Sequence, residues 1–283
     1  MNCMKIAVLS GKGGTGKTFV AVNLAYVNND SVYIDCDVEE PNGHLFFNPE
    51  IIQNNDISVK IPVCDNDLCN GCKKCVLFCE FNALAYIGDR LMVFDKICHS
   101  CGGCQIVCPQ KAISEKDKTI GHYEYGYSNN IMIKTGVLNT GETTGIPIIK
   151  KLLKDDNYNT GRDIFIDCPP GSSCSVIESI KDADYCILVA EPSVFGAHNL
   201  HMVYDLVKLY NKPHGAVLNK CMEGENPSAD YCKKSSITIL ESINFDKQLG
   251  LLNSEGKIIS QESEKYRVLF MSLLEKVKSG MKK

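Results

Sequence analysis

Long apolar runs and an excess of positive charge are both missing from this sequence. No run approaches the roughly eighteen residues that a membrane-spanning helix needs. The apolar stretch before the first glycine cluster is too short for a secretory signal. The net charge of −4 gives no electrostatic footprint for nucleic acid. We therefore expect a cytoplasmic protein that binds neither a membrane nor nucleic acid.

Repeats and low-complexity tracts are also absent. The balance of 44% hydrophobic and 23% charged residues is that of a folded globular chain. With 283 residues, the chain is long enough for one large core or for two domains. Cysteine, by contrast, is abundant, since the chain has 16. Because disulfides rarely persist in the cytosol, metal binding is the first explanation to consider.

A glycine-rich stretch, GKGGTGKT at residues 11–18, follows an apolar strand pattern and precedes an apolar helical pattern. This order predicts a phosphate-binding P-loop, in which backbone N–H groups and the helix N-terminus face the phosphates. Lys17 would reach the β- and γ-phosphates, and the Thr18 hydroxyl would bind Mg²⁺. The predicted nucleotide contacts in this loop are Gly11, Lys12, Gly13, Gly14, Thr15, Gly16, Lys17 and Thr18.

The KGGTGKT segment resembles the deviant Walker motif of the MinD/ParA/Mrp class of P-loop ATPases. In that class, which includes the nitrogenase iron protein, the early lysine reaches across a dimer interface to the partner's nucleotide. The resemblance implies that Lys12 is catalytic and that two copies of this chain form a homodimer bridged by ATP.

Several residues at predicted strand ends are similar in position to functional residues of that class. Asp37 resembles the aspartate that positions the attacking water, and Asp35 resembles an outer-shell partner of Mg²⁺. Asp167 occupies the expected Walker B position for magnesium, and the turn after it would let the Gly171 N–H sense the γ-phosphate. Asn219 resembles the residue that reads the adenine edge, because its amide can donate and accept at once.

Helical patterns alternate with five apolar strand patterns, at 5–10, 31–35, 162–167, 184–190 and 214–219. This alternation predicts an α/β fold with a doubly wound, mainly parallel sheet. Ligands of such a sheet bind beyond the carboxyl ends of the strands, where the residues named above fall. Within SINFDKQ the class usually has a proline where this chain has Asn244, so we expect no ligand contact from that loop.

Between residues 42 and 162 the alternation stops, and short strand patterns accompany two cysteine runs, CNGCKKCVLFC and CHSCGGCQIVC. In both runs the cysteines are separated by two, two and three residues. The pair resembles a bacterial two-cluster ferredoxin, in which the fourth cysteine of each run binds the cluster of the other run. The resemblance implies two [4Fe–4S] clusters, one held by Cys69, Cys72, Cys75 and Cys108 and the other by Cys98, Cys101, Cys104 and Cys79.

Structural zinc is the alternative, since paired CxxC motifs also hold zinc. Zinc would not require the third cysteine at the same two-residue step, so we prefer iron–sulfur clusters. Pro109 follows the second run as in ferredoxins, whereas Glu80 follows the first. Cys64 is interpreted as a spare thiol, because eight cysteines already complete two clusters. Between the runs, Gly88 and Asp89 predict the turn of a small hairpin.

The two resemblances divide the chain into ATPase residues 1–57, an inserted, small α+β ferredoxin-like domain at 58–118, and ATPase residues 119–283. His198 and His201 lie three apart in a helical pattern, for which a core or interface helix is preferred over a metal site. The C-terminal pattern is amphipathic and basic. MinD uses such a helix to reach the membrane, but here it follows the core pattern without a linker, so we expect a packed final helix.

Together the resemblances imply slow ATP hydrolysis by a nucleotide-bridged dimer. Asp37 would position the water, while Lys17, Mg²⁺ and the partner copy's Lys12 would stabilise charge on the γ-phosphate. Three uses of ATP stay open: gating of electron transfer from the clusters to a partner protein, Mrp-like assembly or delivery of clusters, and a MinD-like positioning switch with structural clusters. We prefer the first, because a complete set of eight cysteines is typical of an electron carrier.

Overall fold

The computed structural model describes residues 3–154 and 161–281, and within them the chain forms eleven strands and eleven helices. The strands are β1 (Lys5–Leu9), β2 (Ser31–Asp35), β3 (Glu50–Cys64), β4 (Leu84–Ile87), β5 (Arg90–Val93), β6 (Ile113–Ser128), β7 (Ile131–Leu138), β8 (Asp163–Asp167), β9 (Tyr185–Ala190), β10 (His214–Cys221) and β11 (Ile239–Asn244).

The helices are α1 (Lys17–Asn28), α2 (His44–Phe47), α3 (Lys74–Phe78), α4 (Gly103–Ile106), α5 (Ile146–Lys154), α6 (Cys174–Ile180), α7 (Val194–Leu209), α8 (Pro227–Lys234), α9 (Lys247–Ser254), α10 (Ile259–Glu262) and α11 (Glu264–Gly280). A 3₁₀ turn covers Asp95–Ile97.

Nine of the strands form one sheet in the order β11-β10-β9-β1-β8-β2-β7-β6-β3. The pairs from β11 to β7 are parallel, whereas β6 pairs antiparallel with both β7 and β3. The predicted α/β fold with a mainly parallel sheet is therefore confirmed. The five strands predicted from apolar patterns are β1, β2, β8, β9 and β10.

Two apolar cores lie on opposite faces of the sheet. On β1, Ala7 and Leu9 belong to one core and Ile6 and Val8 to the other, because successive side chains of a strand point to opposite faces. Helices α5, α6, α7 and α8 cover the first core, and α1, α10 and α11 cover the second. Strands buried on both faces are continuous apolar runs, which is why the sequence revealed them.

The expectation of only short strands between residues 42 and 162 is wrong, since β3 has 15 residues and β6 has 16. Both strands carry polar and charged residues along most of their length, so no apolar run marks them. Bulges interrupt their register between Ile51 and Gln53 and between Ile57 and Ser58. Pairing between β3 and β6 holds these strands together. Which residues pair depends on segments that are far apart in the sequence, so no local pattern predicts it.

Strands β3 and β6 continue beyond the carboxyl edge of the parallel sheet. Gly121 of β6 pairs with Leu138, the last residue of β7, and with Ile57 of β3. Residues 58–64 and 113–119 therefore form a two-stranded arm that extends roughly 23 Å past that edge, at about 3.3 Å per residue. The arm ends in residues 65–112, which we call the cysteine module.

Within the cysteine module, β4 and β5 form an antiparallel hairpin. Its turn residues Gly88 and Asp89 have φ of 58° and 59°, the left-handed pair that a type I′ turn requires. The predicted hairpin is thus confirmed. The strands of the arm run without a break through positions 58 and 118, and the division of the chain at those positions stays a prediction.

The final helix, α11, packs on the sheet and on α1. It buries Tyr266, Phe270, Leu273, Leu274 and Val277 in the second core. The expectation of a packed final helix is confirmed by these contacts. No described helix combines the length and the apolar character needed to cross a membrane.

Replacing Phe270 by alanine should lower the free energy of unfolding by about 3–5 kcal/mol, because a buried aromatic ring is lost and a cavity stays behind. Phe270 is fully buried and meets Phe19 edge to face, with ring centroids 5.5 Å apart. Urea unfolding followed by circular dichroism measures the change. The control is Val268→Ala on the exposed face of the same helix, for which we expect less than about 0.5 kcal/mol. Equal effects of the two changes would contradict the packed arrangement of α11.

Candidate functional site

The P-loop lies at the carboxyl edge of the sheet, between β1 and α1. Gly14 and Gly16 have φ of 76° and 97°, a left-handed conformation that favours glycine. A Cβ on Gly16 would lie 2.1 Å from the amide nitrogen of Asn219, and one on Gly11 would lie 2.2 Å from the backbone oxygen of Asn199. The loop glycines therefore permit both the turn and its close contact with β10 and α7.

Lys17, the first residue of α1, is buried and paired with acidic side chains. Its Nζ lies 2.7 Å from Oδ1 of Asp167 and 3.6 Å from Oδ2 of Asp37. Burial alone would lower the pKa of Lys17, but Asp167, Asp37 and Asp35 outweigh burial and raise the pKa above its ordinary value. Lys17 is therefore a fixed positive charge at the mouth of the loop.

Asp35 is fully buried at the end of β2 and accepts hydrogen bonds from three backbone N–H groups. These come from Asp37 at 3.1 Å, Asn42 at 3.1 Å and Gly43 at 2.9 Å. Burial, together with the negative charge of Asp167, raises the pKa of Asp35 to about 7. Asp35 therefore shapes the loop at 37–43 that carries Asp37.

Asp37 is partly exposed and faces Lys17. Burial raises the pKa of Asp37, although the positive charge of Lys17 opposes that effect. Around Lys17, three carboxylates, those of Asp35, Asp37 and Asp167, thus share one ammonium group. An excess of carboxylate over cation suits a hard divalent ion such as Mg²⁺, so the residue types match the predicted metal, although the carboxylates of the described residues are not arranged as a metal site.

Tyr33 is a member of this group that the sequence analysis missed. Its hydroxyl donates to Oδ2 of Asp167 at 2.9 Å, and the side chain is fully buried. With Lys17 on one oxygen and Tyr33 on the other, the Asp167 carboxylate is held in one orientation. In sequence, Tyr33 was indistinguishable from other apolar residues of β2.

Glu191 is the second residue that the sequence analysis missed. It follows β9 directly, and its carboxylate forms an ion pair and hydrogen bond with Nζ of Lys12. Burial alone would raise the pKa of Glu191, but the hydrogen bond from Lys12 and its charge lower it. An acidic residue at the end of an apolar strand is the sequence signal that could have identified it.

Two further predicted residues, Asn219 and Gly171, and also Lys220, which was not predicted, bond to backbone carbonyls in or next to the P-loop. The Asn219 side-chain amide donates to the carbonyl of Thr15 at 2.8 Å. Lys220 donates to the carbonyl of Gly14 at 2.5 Å. The Gly171 N–H, expected to sense phosphate, donates to the Ser10 carbonyl at 2.9 Å, so a contact with phosphate requires exchange of that bond.

A cavity of about 750 Å³ opens over the P-loop. Gly13, Gly14, Gly16, Lys17, Thr18, Asp37 and Asn219 are among the residues that line it. The loop after β11 also lines this cavity through Asn244, Phe245 and Asp246. The parallel pairing of β10 with β11 brings this loop to the same edge, and the absence of a ligand contact from it stays a prediction.

The eight cysteines of the two runs line two separate cavities in the cysteine module. One cavity, of about 20 Å³, is lined by Cys69, Cys72, Cys75 and Cys108. The other, of about 430 Å³, is lined by Cys79, Cys98, Cys101 and Cys104. Each cavity thus takes three cysteines from one run and the fourth from the other, as the ferredoxin resemblance implies.

Backbone N–H groups donate to three of these sulfur atoms. Ala83 donates to Cys79 at 3.4 Å, Ser100 to Cys98 at 3.4 Å and Ala112 to Cys108 at 3.3 Å. The cysteine module has a small apolar core of its own, to which Cys75 and Ile113 belong, and Cys64 packs against this core. Soft thiolates with N–H donors fit an iron–sulfur cluster in their chemistry, although the narrower cavity would have to widen to admit one.

Among residues 3–154 and 161–281, no group of three or more His, Cys, Asp and Glu side chains could hold a metal ion as arranged. His201 of α7 instead bonds through Nδ1 to the hydroxyl of Tyr231 at 2.8 Å. Helix α7 buries Leu200, Val203 and Val207 in the first core, which agrees with its preferred role as a core or interface helix.

Two uncharacterized proteins of Methanocaldococcus jannaschii are similar to this chain. MJ0578 is 29% identical over 278 residues, which are 97% of this chain and 96% of the relative. MJ0579 is 29% identical over 222 residues, 77% of this chain and 80% of the relative. In structure, the septum site-determining protein MinD from Pyrococcus horikoshii, complexed with Mg-ADP, aligns with a TM-score of 0.60 at 18% identity, over 97% of this chain and 96% of its own. At that identity the likeness shows the fold.

Replacing Lys17 by methionine should lower the free energy of unfolding by about 3–5 kcal/mol, because Asp167 is left buried without its cation. The double variant Lys17→Met/Asp167→Asn should recover most of this loss, since neither charge is then buried alone. Urea unfolding without nucleotide measures both. A double variant as unstable as the single one would show that Asp167 is not the group that Lys17 neutralises.

One family model covers most of the chain. The CobQ/CobB/MinD/ParA nucleotide binding domain matches residues 6–259. That range contains the P-loop, Asn219, and the three carboxylates that surround Lys17. The chain therefore belongs to the CobQ/CobB/MinD/ParA family of nucleotide-binding domains.

Proposed function

We propose that this protein hydrolyses MgATP as a nucleotide-bridged dimer and uses the ATP cycle to gate electron transfer from two [4Fe–4S] clusters to a partner protein. One observation carries the proposal. Two cross-paired sets of four cysteines line two cavities at the tip of an arm, and that arm leaves the sheet at the edge where the P-loop lies.

The ATPase half of the proposal follows from the charges at the P-loop. Thr18, Asp35 and Asp167 would hold Mg²⁺, which when bound neutralises phosphate charge. Lys17 would exchange its contact with Asp167 for the β- and γ-phosphates, since a polyphosphate offers more negative charge than one carboxylate. Asp37, freed from Lys17, would then orient the attacking water towards the γ-phosphate.

Lys12 would complete the site of the second copy in the dimer. Within one protomer, Lys17 is the one side-chain cation that the sequence resemblance assigns to the γ-phosphate. Lys12 from the partner copy would supply a second, acting as arginine fingers do in other P-loop proteins. Within one protomer, however, the Lys12 side chain is turned to Glu191.

The redox half follows from the grouping of the cysteines. In a cubane cluster each thiolate binds a different iron, so the four sulfurs surround a cavity rather than a point. Such clusters supply one-electron chemistry. The N–H groups of Ala83, Ser100 and Ala112 would stabilise the thiolates that they already contact, and hydrogen bonds to sulfur tune the reduction potential of a cluster.

A continuous set of contacts joins the nucleotide cavity to the cysteine module. Val38, next to Asp37, accepts a hydrogen bond from the Leu138 N–H at 2.8 Å. The loop that follows β7 bonds to β6 at the base of the arm, since the Asn139 N–H donates to the Ile120 carbonyl at 2.8 Å. A shift of the Asp37 loop would therefore reach the base of the arm through β7.

Lys118 extends this path into the cysteine module. Its Nζ donates to Glu142 at 2.8 Å and lies 3.6 Å from Asp95. Glu142 belongs to the loop after β7, and Asp95 to the 3₁₀ turn of the module. Because Lys118 and Glu142 are mostly buried, with 15% and 14% of their side chains exposed, solvent screens this pair less than an open surface pair.

Serine at Cys79 should remove the cluster of the second run and leave that of the first. The reason is that Cys79 lines the cavity of Cys98, Cys101 and Cys104. We expect about eight irons per wild-type chain after anaerobic reconstitution and about four in the variant. The electron paramagnetic resonance spectrum of Cys79→Ser should match that of Cys104→Ser.

The matched control is Cys174→Ser, because Cys174 is exposed and outside the module, and it should keep all irons. Eight irons that transfer readily to an apo-protein would favour the assembly hypothesis instead. If Cys79→Ser gives the spectrum of Cys72→Ser, each run holds its own cluster and the cross-paired assignment is wrong.

Binding of a non-hydrolysable ATP analogue should shift the reduction potentials of the clusters, and Lys118→Met should abolish this shift. The methionine keeps most of the length of the side chain but removes the charge that joins Glu142 to Asp95. Anaerobic redox titration with and without the analogue measures the shift, while iron content and ATP hydrolysis should stay near wild type.

Lys60→Met is the control, because Lys60 lies on the same arm and pairs with Asp117 in solvent, with 56% of its side chain exposed. It should keep the full shift. Identical potentials in both nucleotide states of the wild type would overturn gating and leave the positioning switch as the better function.

A further inference from the structure

The observed contact of Lys12 differs from the contact that the proposed function requires. The proposed function requires its ammonium group to reach the nucleotide of a second copy, yet within the protomer it is paired with Glu191. The Lys12 side chain is 40% exposed and that of Glu191 is 19% exposed. The carboxylate therefore holds a solvent-facing lysine against its own subunit.

The backbone of Glu191 is fixed from several directions. Its carbonyl accepts a hydrogen bond from the Ser228 hydroxyl at 2.6 Å. A Cβ on Gly196 would lie 2.1 Å from the same carbonyl oxygen, so the first turn of α7 lies directly against it. Ser193 caps that turn by accepting from the Gly196 N–H at 2.9 Å. Glu191 is thus an anchored acceptor rather than a mobile surface acid.

The P-loop is fixed to the same surroundings. Gly11 lies so close to α7 that a Cβ would be 2.2 Å from the Asn199 carbonyl oxygen. The backbone of Lys12 is therefore held in place, and a change of partner from Glu191 to another anion requires movement of the side chain alone. Val194 and Phe195, the next residues after the Ser193 cap, are 74% and 76% exposed.

We propose that Glu191 is a positioning residue that holds Lys12 in its own subunit until the triphosphate of a second copy replaces it. The inference rests on the proposed nucleotide-bridged dimer. Exchange is physically reasonable because a partly exposed ion pair stabilises by only about 0.2–1 kcal/mol, whereas a triphosphate offers several negative charges. Glu191 therefore opposes pairing of protomers when nucleotide is absent.

The test compares Glu191→Gln with wild type. Glutamine keeps the size and the backbone contacts but removes the charge. Each Lys12–Glu191 ion pair favours the single protomer by roughly 1.4- to fivefold, and two such pairs open per dimer. Sedimentation with a non-hydrolysable ATP analogue should therefore show a dimer dissociation constant roughly 2- to 25-fold lower, while kcat for ATP is unchanged because Lys12 is intact.

Two further variants separate positioning from a structural role. Lys12→Ala and Lys12→Ala/Glu191→Gln should have the same dissociation constant, because Glu191 acts only through Lys12. Glu264→Gln, which removes an exposed carboxylate paired with Arg267 on α11, should behave as wild type. A Glu191→Gln variant with the wild-type constant, or with a lower kcat, would overturn the proposal.

A readout that needs no dimer distinguishes failure of this inference from failure of the proposed function. Acylation of Lys12 in the nucleotide-free protein, followed by peptide mass spectrometry, should be faster in Glu191→Gln than in wild type, with Lys60 as internal standard. If acylation rises but neither protein dimerises, the ion pair exists and the nucleotide-bridged dimer is wrong. If acylation does not change, Glu191 does not hold Lys12.

Discussion

The buried contact between Lys17 and Asp167 is the constraint on which the rest of the site depends. One ammonium group lies among three carboxylates, at the edge where β1, β2 and β8 end. Burial makes each of these charges costly when it is alone, so their relative positions are fixed by their mutual neutralisation. Tyr33 and the backbone N–H groups on Asp35 satisfy the oxygens that remain. Because these three carboxylates outnumber the single ammonium group of Lys17, the site suits a cation, and with that cation it suits a phosphate.

Much of this edge could be predicted from the sequence, because its signals are local. An apolar run that stops at a glycine cluster specifies a strand and a loop, and acids at the ends of such runs must meet when the strands are parallel. The P-loop was found in this way, and the resemblance to the MinD/ParA/Mrp class assigned roles to Asp35, Asp37 and Asp167 at such strand ends. The cysteine spacing gave the grouping of the thiols by resemblance, since the crossing of Cys79 and Cys108 between the runs is not visible from spacing alone.

What the sequence did not reveal depends on pairing between distant segments. The polar strands β3 and β6 have no apolar run to mark them, and their register is specified only by each other and by β7. Tyr33 looks ordinary in sequence, because its importance comes from which side chain lies opposite, and Glu191 is marked there only by its place at the end of an apolar strand. The place of the loop at Asn244 beside the cavity was not visible either, because a departure from a motif changes the chemistry of a position but not its place in the sheet.

The arm formed by residues 58–64 and 113–119 has the geometry of a lever. Its base is joined to β7 by the main sheet, while its free end carries the cysteine module. A rotation of a few degrees at the base displaces the tip in proportion to the length of the arm, so a rearrangement too small to disturb the P-loop changes the separation between the cysteine module and any protein docked beside it. Electron transfer depends steeply on distance, and a lever of this kind would convert a slight tilt into a large change of rate.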